Sequence, residues 1–191
     1  APILFTQSQT FNGGDPIVTR NKDITTASFK VRVQEEEAKG SHVAETVGYI
    51  AFLPINSVYD DGIHDPLRID TGVIDGVTQK KWKTVKFSQT FNNRPALLMD
   101  MQTFNGSDTA GLRYRNLGTD SVQIFVEEEK SKDTEVNHAG ETVGYIAFER
   151  PQQVFNKLSV YENTNIISQS VVPGTPNHTF VGLVLDTTGS S

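Results

Sequence analysis

The chain has 191 residues, 36% hydrophobic and 9% aromatic, enough to bury one large core or two modest ones and too apolar for a disordered chain. Its 17 basic side chains against 23 acidic ones give a formal charge of −6, so there is no basic field to attract a nucleic-acid backbone or an anionic membrane. No apolar run approaches the roughly 20 residues needed to cross a bilayer, and the absence of cysteine excludes disulfides and thiolate metal sites. The start at Ala1-Pro2 reads as that of a mature form or an excised domain.

In chain order, the turn-forming Gln9-Thr10-Phe11-Asn12-Gly13 comes first. Phe29, Val31 and Val33 then alternate with Lys30, Arg32 and Gln34, the period of a half-buried strand. Glu35-Glu36-Glu37 ends that strand, His42 follows, and Val47 to Phe52 is a short apolar run suited to a central strand. Further on, Ala96 to Met101 reads as a strand after Pro95, and Val122, Ile124 and Val126 alternate with Gln123, Phe125 and Glu127. No stretch shows a capped helical period, and turn signals such as Leu117-Gly118-Thr119-Asp120 fall between the strands. The expected fold is all-β, built from antiparallel sandwich units.

The chain also repeats itself. The pentapeptide Gln9 to Gly13 recurs as Gln102 to Gly106, and Glu45-Thr46-Val47-Gly48-Tyr49-Ile50-Ala51-Phe52 recurs unchanged as Glu141 to Phe148. Between these anchors Asp15 matches Asp108, Arg20 matches Arg113, Glu35-Glu36 matches Glu128-Glu129, and His42 matches His138. A period of about 95 residues is a small domain, beyond the range of solenoid repeats. Val172-Pro173-Gly174, Phe180, Leu183 and Leu185 fall on Ile74-Asp75-Gly76, Trp82, Val85 and Phe87. A circularly permuted closure is therefore expected: a first unit over 1–55 completed by about 166–191, a second over 68–150, and connections at 56–67 and 151–165. The other reading is a piece of a longer tandem array with homologous cut ends.

The second unit, from Arg68-Ile69-Asp70-Thr71-Gly72-Val73-Ile74-Asp75 through Trp82, Phe87, Arg94-Pro95 and Leu112-Arg113 to Val143-Gly144-Tyr145-Ile146-Ala147-Phe148, resembles the H-type lectin domain of snail agglutinins and discoidins. The resemblance covers about 80 residues in pattern and order. It implies a six-stranded sandwich with a sugar site at the seam between neighbouring units. The family's aspartate falls at Asp75 and its arginine at Arg94. Its Trp-His pair falls near Glu129-Lys130, and near Glu36-Glu37 in the first unit, so this sequence departs from the pattern there; Pro173 stands where the first unit would carry the aspartate.

A sugar is held by planar polar groups bonding paired hydroxyls and by an aromatic face against its C–H patch. The carbohydrate-binding candidates are Asp75, Arg94, Thr71, Asn105, Asp108 and Arg113, with Trp82 or Tyr114 as platform, and Glu36, Glu129, Lys130, His42 and His138 beside them. Each has a plainer reading. Asp75 before Gly76 suits a turn, Trp82 suits a core, and Arg20 and Arg113 suit pairing with acidic neighbours. Tyr49 and Tyr145 are expected in the core. The glutamate runs are expected as solvated strand ends; a calcium site drawing on Asp15, Asp108 or Asp60-Asp61 is the sharper alternative, although no loop has a calcium spacing. The histidines are expected to be hydrogen-bonded, in structural or ligand-contacting roles, rather than a zinc pair. No catalytic motif stands out. The expected protein is thus a non-catalytic, secreted module for a polysaccharide or glycan, appended to an extracellular polysaccharide-degrading enzyme, without cofactor or with calcium, as a homo-oligomer or with pseudo-symmetric pairing of its units. A structural or adhesion domain is the alternative.

Overall fold

The computed structural model describes residues 1–59, 66–149 and 181–184. It is all-β among these residues, with antiparallel pairing throughout. The strands are β1 (Ile3–Ser8), β2 (Ile17–Lys22), β3 (Ser28–Glu35), β4 (Val47–Phe52), β5 (Asn56–Tyr59), β6 (Leu67–Val77), β7 (Lys83–Lys86), β8 (Ala96–Met101), β9 (Ala110–Arg115), β10 (Ser121–Glu128), β11 (Glu141–Phe148) and β12 (Val181–Val184). Among the described residues four sheets form, in the orders β1-β4, β12-β3-β2, β5-β6-β11-β8 and β7-β10-β9.

The two sheets of the later segment face each other across one core. Alternation on β10 sends Val122, Ile124 and Val126 inward, where they meet Val143, Tyr145 and Ala147 of β11, with Phe87 and Phe91 closing the end. The earlier segment has a smaller core of Leu4, Phe29 and Val31. β12 pairs with β3 so that Leu183 opposes Phe29, and β7 pairs with β10 so that Val85 opposes Val122. The remainder of the expected completing segment, with Pro173 and Phe180, lies outside the described residues, as do Asp60 and Asp61.

Two sequence expectations change here. Tyr145 is core, but Tyr49 is 46% exposed, lying edge-on to Phe29 at 5.0 Å. The octapeptides are identical and their neighbours are not: β11 lies between β6 and β8, whereas β4 has only β1 beside it among the described residues. Trp82 is not in the core cluster. It stacks on Phe125 at 4.9 Å, on the outward face of β10, with the Arg115 guanidinium 4.3 Å from its ring centre.

Candidate functional site

The densest polar chemistry lies where the turn after β8 meets β1, β2 and β3. Within that turn, Glu141 at the start of β11 accepts from Thr103 Oγ1 at 2.5 Å and from the backbone N–H groups of Asn105 and Gly106, while Asn105 Nδ2 donates to Gly140 O at 2.7 Å. His138 is sealed between two carboxylates, with Nδ1 3.1 Å from Glu128 and Nε2 3.1 Å from Glu141. Its ring occupies the place a side chain on Gly106 would fill, since a Cβ there would lie 2.5 Å from Cε1. The repeat builds the same clasp from Thr10, Asn12, Gly13, Glu35, His42 and Glu45, with His42 Nδ1 2.8 Å from Glu35 and Nε2 3.0 Å from Glu45. The spacing of the repeated residues therefore has a local cause: a carboxylate caps a Thr-Phe-Asn-Gly turn and a histidine props it. Glu149 accepts from the N–H groups of Asn92 and Asn93 in the same manner, which Thr90-Phe91-Asn92 could have signalled.

The electrostatics follow from these bonds. Thr10, then His42 and the N–H groups of Asn12 and Gly13, hold the Glu45 carboxyl down to about 2. Burial opposes charge on His42, yet its bonds to Glu45 and Glu35 outweigh this and raise it above its usual value. Burial likewise opposes charge on Glu141, but His138, Thr103, Gly106 N–H and Arg20 together hold it below the ordinary range.

Among the described residues, only the second clasp has a neighbour seated on it. Arg20, on β2, reaches Glu141 Oε1 at 2.8 Å, and both side chains are 0% exposed. The same guanidinium donates to Asp108 O at 3.0 Å, Gly106 O at 3.3 Å and Gln34 Oε1 at 3.1 Å. Arg20 and Arg32 both lie over the Phe104 ring, at 4.6 and 4.7 Å from its centre. Beside them the Gln102 amide bonds Leu4 on both sides, accepting from N–H at 2.9 Å and donating to the carbonyl at 2.8 Å, as a neighbouring strand would. Asp100 accepts from Thr6 N–H at 2.8 Å and Asn21 Nδ2 at 3.1 Å. Burial outweighs these donors and pushes its carboxyl up to about 6.

The sugar-site candidates do not converge. Thr71 is buried, bonded through Oγ1 to Ile55, and Asn105 and the two histidines are committed to the clasps. Asp75 and Gly76 form a bulge within β6 opposite β11, with Gly76 at φ 64° and Asp75 accepting from Thr142 Oγ1 at 2.7 Å, where the sequence suggested a turn. Glu129 accepts from Glu37 N–H at 2.8 Å and from Ser131. Arg94, Lys130 and Tyr114 are exposed, and Arg113 pairs with Glu127. The glutamate runs are not wholly solvated strand ends: Glu35 and Glu128 turn inward to the histidines, because alternate strand residues face opposite ways. Glu36, His42 and Asp108 do share one cleft at the seam, with Glu37 and Lys132. There Glu37, Asp108 and Glu128 bring carboxylate oxygens within 4.8 Å of one another, a set of hard ligands that could hold a cation. Burial, then the neighbouring Asp108, pushes Glu37 upward.

Antiparallel β-sheets joined by a polar, buried seam define the chain at the level of its fold. No protein-family model matches it, and no solved structure does. Among curated proteins it is similar to halomucin of Haloquadratum walsbyi (strain DSM 16790 / HBSQ001), 29% identical over 188 residues that cover 92% of this chain. The chain spans 2% of the length of that relative.

Proposed function

We propose that this chain is a non-catalytic structural module of a large extracellular protein, which fixes neighbouring β-units in one register. The Arg20–Glu141 pair carries this reading. A buried ion pair adds little net stability over apolar packing but penalises misplacement, because a displaced partner leaves a charge without water or counter-charge. Elsewhere in the fold Glu45 and Asp70, like Glu141 itself, are each held by several donors, an arrangement that serves structure rather than acid–base work. The likeness to a segment of halomucin supports a place within a far longer extracellular chain. Small-angle scattering of the wild type and Arg20→Ala tests the reading: a larger, more flexible variant is expected, and an unchanged profile counts against it.

Glycan recognition is the second reading, favoured by the outward face of β7-β10-β9. There Trp82, Phe125 and Arg115 form an aromatic–cationic patch, with Gln123 and Asn116 bonded beside it. The H-type lectin resemblance points to the same ligand class by another site. A glycan panel, run with calcium and with chelator on the wild type, Trp82→Ala, Asp75→Ala and Arg94→Ala, separates the two. Binding lost in Trp82→Ala alone places it on the patch; loss in Asp75→Ala and Arg94→Ala favours the lectin-like site; no binding leaves the structural reading.

A further inference from the structure

Most of the repeated pentapeptide is explained within its own unit. Thr10 and Thr103 bond the capping glutamates, Asn12 and Asn105 bond the backbone carbonyls of Ala44 and Gly140, and Gly13 and Gly106 make room for the histidines. The other two positions act differently. Gln102 spends its amide on Leu4 across the seam, and Phe104 lies beneath Arg20 and Arg32, also across the seam. Their counterparts Gln9 and Phe11 are the same residues, yet both are exposed, and Phe11 is 85% exposed. A single exposed phenylalanine is ordinary by itself; what marks Phe11 is that its repeat counterpart Phe104, on the same clasped turn, is covered by two arginines.

The complementary half is also present. Arg113, on β9, occupies the repeat position of Arg20 on β2. Its side chain is 65% exposed, and its close contact with Glu127 lies at the solvated surface, where such a pair adds little and can be exchanged for another partner. Leu97, at the position of Leu4, lies on β8, whose second edge is unpaired among the described residues.

We propose that the Gln9–Phe11–Glu45 face is a docking surface for a second copy of this chain. The copy presents β8 and β9, with Arg113 over the Phe11 ring and toward Glu45, and Gln9 bonding the edge of β8 at Leu97. This rests on the structural-module reading and extends it from the internal seam to a contact between chains. The contact is heterologous, one face meeting a different face, so each copy retains an open surface at either end and association continues until a ring closes or a filament grows. The net charge of −6 makes copies repel at low ionic strength, so about 1 M salt, where the Debye length is about 3 Å, is the appropriate condition.

Sedimentation velocity over a hundredfold concentration range tests it. The wild type is expected to move from monomer to dimer and larger species, and Phe11→Ala and Arg113→Ala, both at exposed positions, to remain monomeric. An equimolar mixture of the two variants retains one intact face of each kind and is expected to stop at the dimer. A wild type that stays monomeric throughout overturns the proposal, as does association that survives in both variants. Either failure leaves the internal seam untouched, and scattering on Arg20→Ala judges the structural reading separately.

Discussion

Arg20 and Glu141 stand 121 positions apart in the chain and 2.8 Å apart in the fold, with neither side chain reaching water. Removing one member strands the other, which costs about 3–5 kcal/mol for a buried pair. Arg20→Ala is therefore expected to lower the stability measured by urea unfolding by that amount. Arg113→Ala, at the matching repeat position but exposed, is expected to change it by about 0–1 kcal/mol.

Gly106→Ala would drive a methyl group into the His138 ring, which cannot retreat because both its nitrogens are held and it is wholly buried. A loss of about 1–3 kcal/mol is expected in thermal or urea unfolding. Gly111→Ala, with nothing within 4 Å of the new carbon, stays within about 0.5 kcal/mol of the wild type.

Asp100, raised to about 6 in the fold from an ordinary 3.8, binds more protons folded than unfolded between those values. Its contribution is full below pH 3.8 and is lost as pH rises through 6, with a ceiling of about 3 kcal/mol. Asp100→Asn removes this dependence. Its stability relative to the wild type is expected to rise between pH 4 and pH 7, as urea midpoints at pH 4, 5 and 7 would show.

His42, raised above 6.5 by its two carboxylates, favours the fold while charged. That stability is full below 6.5 and fades as pH rises through the folded value. Proton NMR of the imidazole is expected to give a titration above 6.5, and Glu35→Gln to bring it down.

The all-β class and its strands were legible because period-two alternation, as at Val122, Ile124 and Val126, needs only local information. The histidines read as hydrogen-bonded for the same reason: His42 and His138 lie three residues before the glutamates they touch. What depended on distant neighbours was hidden. Tyr49 and Tyr145 sit in identical octapeptides and differ because of the strands beside them. Arg20 and Arg113 read alike as arginines paired with acidic neighbours, and both are; that Arg20's partner is the distant, buried Glu141 is named by nothing near it in sequence. Asp100 and Gln102 carry much of the seam, yet Asp100 sits on a short apolar strand with nothing local to mark it, and Gln102 stands out only as a member of the repeated pentapeptide. The one available signal was the retention of Gln9 and Phe11 where the clasp itself does not need them.

The clasps also bear on how fast and how tightly a neighbour can seat. Each turn is shaped by its own glutamate and histidine before anything arrives, so the ordering entropy is met when the unit folds rather than when a partner binds. Affinity at such a face is then set in part by residues that never touch the partner. Substitutions at His42 would loosen the Phe11 turn and weaken docking through a faster off-rate, with every contacting side chain left intact.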